Sequence, residues 1–368
     1  MRKEFSLYLD LVRFLAAVTV VIYHSNYREL IPASLPIRNA GHSAVIVFFV
    51  LSGFVVAYVV DTKERTALEY WSSRLSRIYS VAVPAVILTL ILDNIGEQLV
   101  PHYKTTHDYG YVRIFSSLVF MNEFWTVSIQ TFSNVPYWSL CYEMWYYITF
   151  GIIMFIKGAA RIWLIVGCCL LLGPKILLLS PIWYVGVYLY RSKRLNSITP
   201  FWGGVIFLVS IVACVKFHQF YVTDYFLEKL KMAVGPYWYI QLAFSKYFLS
   251  DYLLVLIVAF NFVGFRAISH LAGPLLFPIA KPIRFLASFT FSLYIYHQPV
   301  MLFFAALIDG DATGYLFYSQ VIFCTALTIL LLGFMTEQQR GKLKHWLAAR
   351  FERAHLRWQG NLRVLQGR

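Results

Sequence analysis

Three ionisable residues interrupt one apolar run, LDLVRFLAAVTVVIYH at residues 9–24: Asp10, Arg13 and His24. Arg13 and His24 are separated by eleven positions. At about 100° and 1.5 Å per residue, that spacing returns to within roughly 20° of one helix face, about 16 Å along the axis. Asp10, three residues before Arg13, shares the stripe. Ionisable groups inside an apolar helix must face protein interior or a water-filled cavity, and there they mark reactive sites or pathways. A histidine so placed can move a proton near neutral pH. An interfacial histidine with a snorkelling arginine is the alternative that carries no chemistry.

Two further stretches bring buried polar groups. In NVPYWSLCYEMWYYI, Glu143 sits among Trp138, Trp145, Tyr146 and Tyr147, with Ser139 one residue after Trp138. A carboxylate in such surroundings needs a partner or a proton. Entered from the outer side near Tyr137, the helix brings Glu143 to about 9 Å depth, comparable with His24, so a His–Glu pair with an oriented general base is one expectation. A structural ion pair is the other. SLYIYHQPV contributes His297, with Ser292 and Tyr294 one turn before it and Pro299 after it. The proline frees a backbone carbonyl upstream, and a satisfied interhelical histidine is the plainer reading of His297. Finally, DTKERTALEYWSSRLSRIYS reads as an amphipathic loop helix with Leu68, Trp71, Leu75 and Ile78 on its apolar stripe. Arg74 and Arg77 fall one turn apart beside it, where two guanidinium groups could chelate a phosphate or merely anchor a cytoplasmic loop.

The elements that would position these groups are membrane helices. Of 368 residues, 59% are hydrophobic and only 14% charged, against roughly a quarter charged in soluble domains. Apolar runs fill segments 8–25, 43–60, 80–96, 137–156, 162–173, 176–190, 200–218, 248–265 and 285–335, the last holding two spans around DGDATG at 309–314. A weaker run at 112–126 either crosses, giving eleven spans, or re-enters, giving ten. With the N-terminus inside and ten spans, most of the 32 Lys and Arg residues fall on the cytoplasmic side, as the positive-inside rule asks. The expectation is an all-α polytopic bundle of about ten transmembrane helices, both termini cytoplasmic. The integral domain is 1–335, and 336–368 is a basic amphipathic tail lying on the membrane surface through Leu343, Trp346, Leu347, Phe351, Ala354 and Trp358.

Several classes lose support. The net charge of +14 lies between apolar runs and in the tail, which indicates orientation in a membrane, not nucleic-acid binding. The five cysteines lack CxxC spacing, so no zinc site or disulfide framework is indicated. No G-x-x-x-x-G-K-[ST], G-x-S-x-G or HExxH occurs. Residues 1–25 have the basic start of an export signal, but Asp10 and Arg13 break its core and SNYRELIPAS offers no clear cleavage site.

Taken in order, LDLVRFLAAVTVVIYH, FFVLSGF at 48–54, RLSRIY at 74–79, WSLCYE at 138–143 and SLYIYHQP at 292–299 resemble the acyltransferase-3 family of integral membrane acyltransferases over most of residues 8–335. The resemblance implies transfer of an acyl group, commonly acetyl, from acyl-coenzyme A to a hydroxyl of an envelope glycan, glycolipid or secondary metabolite, without a metal. By that resemblance His24 is the essential histidine, Glu143 the acidic residue of the tryptophan-serine motif, and Arg13, Arg74 and Arg77 the arginines that hold the donor. Asp10, Trp138, Ser139, Ser292, Tyr294 and His297 are supporting residues. The chain departs from the family pattern at Ser80, where proline is common, and in the aromatic Trp145 and Tyr146. The implied partners are membrane lipid, acyl-coenzyme A and a carbohydrate or glycolipid acceptor, and the implied location is the bacterial inner membrane. His24 acts as base or as transient acyl carrier in that scheme, and the aromatic stretch 220–244 is an outer loop that either stacks on a sugar or forms an ordinary interfacial aromatic belt. The competing class is a secondary transporter using the same His, Glu and Arg as a relay.

Overall fold

A computed structural model describes residues 1–27, 40–99, 108–311 and 314–366. The stretch SNYRELIPAS and the turn DGDATG fall partly outside these residues, as does the side chain of Trp358. The architecture is all-α and polytopic. In chain order the helices are α1 (Lys3–Tyr27), α2 (Gly41–Thr62), α3 (Ala67–Leu99), α4 (Gly110–Leu118), α5 (Trp138–Phe155), α6 (Gly158–Leu172), α7 (Pro174–Arg191), α8 (Pro200–Gln219) and α9 (Val222–Gln241). They continue as α10 (Phe248–Ile268), α11 (Gly273–Leu276), α12 (Ala280–Ala287), α13 (Thr290–Leu307), α14 (Tyr315–Met335) and α15 (Arg340–Gln366). A two-residue antiparallel hairpin, β1 (Glu123–Phe124) with β2 (Val127–Ser128), lies between α4 and α5. Among the described residues, seven helical segments are long and apolar enough to cross a membrane, and α6 is a shorter apolar helix.

One open alternative is resolved and two expectations are corrected. The weak run 112–126 is not a span. It begins with the nine-residue α4 and ends in the hairpin, and nine residues reach only about 14 Å against about 30 Å of hydrocarbon. The amphipathic segment at 67–79 is not a separate loop helix either, because it runs without a break into the apolar segment as the 33-residue α3. It is buried on two opposite faces, one carrying Tyr70, Arg74 and Ile78 and the other Ser72 and Ser76, while Trp71 and Leu75 are only half-buried. The polar residues turn inward because they find partners there. Third, most of the stretch 220–244 is helical, as α9, which kinks at Gly235 (φ 77°) before Pro236.

Close approach of α2 and α7 sets the centre of the bundle. Gly53 faces the backbone of Trp183, and Gly186 faces the backbone of Val50, so a Cβ at either position would collide with the opposing main chain. Small residues at such crossings let helix backbones pack directly. Prolines within helices free carbonyls that side chains then recover. Pro181 in α7 releases Leu177, whose carbonyl accepts from Ser180 Oγ at 2.8 Å. Pro299 in α13 releases Ile295, whose carbonyl accepts from Asn134 Nδ2 at 3.0 Å. That second bond, with Asp93 Oδ2 accepting from the Ser133 amide at 3.1 Å, ties the segment before α5 onto α3 and α13.

Candidate active site

One narrow cavity of about 50 Å³ gathers residues from five helices. Arg13 comes from α1, Ser52 from α2, Arg74 and Arg77 from α3, Ser139, Glu143 and Tyr147 from α5, and Tyr294 from α13. FFVLSGF explains itself here: Gly53 makes the close crossing with α7, and Ser52 beside it turns to the cavity. Ser52 Oγ donates to Glu143 Oε1 at 2.6 Å and accepts from Trp183 Nε1 at 3.1 Å. Tyr147 OH donates to the same Oε1 at 2.5 Å, while Oε2 takes no bond among the described residues.

The two arginines of α3 differ. Arg74 is buried, and its Nη2 bridges both oxygens of Glu64 at 2.8 Å. Arg77 lines the cavity with its guanidinium 6.0 Å from the Phe291 ring centre and has no ion pair among the described residues. Arg13, also on the cavity, lies 3.6 Å from Asp10. Arg13 and Arg77 are thus the cations on this cavity outside the Arg74–Glu64 pair, Arg13 loosely paired with Asp10.

His24 meets a different partner from the one expected. The structure does not bring it to Glu143; its Nδ1 lies 2.9 Å from Nε2 of His297 and 3.1 Å from the Val20 carbonyl. The reason is positional: Ser52 and Tyr147 hold Glu143 on the cavity wall, while α13 carries His297 beside the C-terminal part of α1. His297 is fully buried, and its Nδ1 contacts the carbonyls of Tyr294 at 2.9 Å and Leu293 at 3.1 Å. Carbonyls accept only, so Nδ1 of His297 carries the proton and Nε2 is its lone pair. His24 Nδ1–H then donates to that lone pair, shared with Val20, so that Nε2 is the unprotonated nitrogen of a neutral His24 ring. A backbone turn thus fixes the tautomers of two histidines.

With this geometry established, comparison with protein families matches residues 6–336 to the family described as an acyltransferase domain. The chain belongs to the acyltransferase-3 family. It is a multi-pass membrane acyltransferase, and an acyl donor and an acceptor are its substrates. No curated protein and no solved structure gives a significant match.

The remaining expected residues of this acyltransferase sort by their contacts. Ser139 Oγ and Tyr294 OH are 2.8 Å apart, joining α5 to α13 across the cavity. Ser292 does not face the histidines; its amide and Oγ donate to Glu337 at 2.8 and 2.9 Å, fixing the start of α13. Trp138 is wedged flat on Phe244, with ring centres 4.4 Å apart. Of the aromatic residues around Glu143, only Tyr147 bonds it; Trp145 and Tyr146 donate instead to the carbonyls of Phe120 and Ile176. Sequence reasoning missed Ser52, Glu64, Asn134, Glu337 and a second carboxylate–histidine pair, His42 with Asp251 at 2.9 Å. The available signal was the rule that a buried charge needs a partner, which should have prompted a search for the acid serving Arg74.

Proposed function

We propose that this acyltransferase moves an acyl group, acetyl in the first place, from cytoplasmic acyl-coenzyme A to a hydroxyl of a cell-envelope glycan or glycolipid. In this reading it lies in the inner membrane with ten spans (α1, α2, α3, α5, α6, α7, α8, α10, α13 and α14), both termini inside. The observation that carries the reading is the arrangement along α1. Arg13 and Arg77 share the cavity, and along α1 Arg13 lies about 16 Å below His24, whose Nδ1 meets His297 at 2.9 Å. That separation suits a phosphopantetheine arm, with phosphate on the arginines and thioester near His24.

In the reaction, the acceptor hydroxyl oxygen bonds to the thioester carbonyl carbon as its proton passes to His24 Nε2. The tetrahedral oxyanion then collapses, the C–S bond breaks, and the departing thiolate takes the proton from His24. The products are an ester and free coenzyme A thiol. His297 positions His24 by holding its tautomer. Glu143 sits on the cavity wall as counter-charge to the arginines, and Arg74 serves the fold through Glu64. Family membership favours this chemistry over the solute-transport alternative. The test is incubation of membranes carrying the protein with acetyl-coenzyme A labelled in the acetyl group and with envelope glycans. Base-labile label in the glycan supports the reading; solute uptake without transfer sinks it.

A further inference from the structure

A second built site lies beside the histidine pair. His42, at the start of α2, donates from Nε2 to Oδ2 of Asp251 at 2.9 Å, and Asp251 is only 2% exposed. The ring is clamped between aromatic residues, with its centre 4.2 Å from that of Tyr247 and its plane within 8° of Trp138. Its other nitrogen, Nδ1, has no partner among the described residues. This imidazole opens on a cavity of about 150 Å³ whose walls include Tyr23, Thr223, Asp224, Tyr221 and Tyr247. Tyr221 holds a left-handed backbone (φ 50°) at the turn between α8 and α9, a conformation unfavourable for a non-glycine residue. Lys246 lies 5.3 Å from the Tyr247 ring centre.

The composition of this cavity is specific. Aromatic faces alternate with hydroxyls, an open imidazole nitrogen and a carboxylate, the mixture that suits a ring carrying several hydroxyl groups. Phosphate would meet Asp224 and Asp251, and a plain acyl chain would leave the polar groups unmatched. The cavity also touches the reaction centre. Tyr23 is one of its walls, and the same ring packs edge-on against His24 with centres 5.0 Å apart.

We infer that this cavity is the saccharide-acceptor site, with His42, oriented by Asp251, and the Tyr247 face as its principal contacts. The inference rests on the acyl-transfer reading for the purpose of binding, and not for the binding itself. Its test uses the full-length protein in detergent and oligosaccharides released from envelope material by mild acid, reduced with borotritide. Equilibrium dialysis measures their binding, and transfer from acetyl-coenzyme A is followed in parallel. The double variant His42→Phe/Asp251→Leu keeps an apolar, ring-packed site. It should melt near the wild-type temperature while saccharide half-saturation rises about tenfold or more in both assays. Donor half-saturation should move by less than about twofold. Tyr247→Leu should give about a fivefold rise through lost stacking; if the double variant fails to fold, Tyr247→Leu and Asp251→Asn carry the same criterion. Wild-type protein that binds no labelled saccharide overturns the site, as do variants that bind it normally or lose donor and acceptor affinity equally. Wild-type binding without transfer leaves the site standing and sinks the acyl-transfer reading alone.

Discussion

His24 and His42 each have one ring nitrogen tied to a partner, yet the partners differ in kind. His24 donates to a neutral imidazole whose own proton is committed to backbone carbonyls. His42 donates to a buried carboxylate. The buried carboxylate fixes the orientation of the ring through a hydrogen bond to a charged acceptor. A neutral imidazole offers no such charge, and holds His24 by hydrogen bonding alone. The same contrast separates the two arginines of α3, since Arg74 is closed on Glu64 while Arg77 stays open to the cavity. Residue type alone does not assign a role; the partner does.

The largest effect short of removing His24 itself should come from breaking its neighbour. His297→Leu frees the tautomer and should lower the turnover rate about 100-fold with donor half-saturation unchanged. His297→Gln can accept from His24 and donate to the Tyr294 carbonyl, so it should recover most of that loss and restore the pH profile. A recovery no better with Gln than with Leu would count against positioning through hydrogen bonds. Next comes Glu64→Gln, which strands the Arg74 charge in the interior and should cost about 3 kcal/mol of stability, read by thermal unfolding. Replacing both partners with apolar residues, Glu64→Leu with Arg74→Met, should recover most of it and leave donor use nearly intact. A large rise in donor half-saturation in that folded double variant would return Arg74 to the donor site.

Arg77→Ala should raise the donor half-saturation about 30-fold, with acceptor half-saturation unmoved and Arg77→Lys intermediate. Equal losses for donor and acceptor would remove the docking role. The smallest effect belongs to Ser52→Ala. It deletes one of two bonds to Glu143 Oε1 and should cost about 1 kcal/mol, a several-fold rate change. A null result there would show that Tyr147 alone holds the carboxylate.

Much of this was legible in the sequence because apolar helices cannot hide ionisable residues. Asp10, Arg13 and His24 announced their shared face, and Glu143 and His297 announced burial. Helical phase, however, places a residue around its own axis and says nothing of which helix lies opposite. That is why Glu143 was matched to His24, when Ser52 and Tyr147 hold it and His297 takes its place. The apolar stripe of α3 misled for a related reason: inside a bundle, polar residues with partners can face inward, so Arg74 is buried while Trp71 is partly exposed. The carbonyl freed by Pro299 could be foretold from the chain; that Asn134 takes it could not, since 161 positions separate Asn134 from Ile295.

The central claim is that His24, held by His297, takes the acceptor proton. The direct measurement is acetyl transfer from labelled acetyl-coenzyme A to envelope glycan by His24→Ala, with melting temperature checked against wild type. The account predicts a folded protein whose transfer falls about 1,000-fold while donor half-saturation stays near wild type. Transfer persisting near the wild-type rate in that folded variant would contradict it.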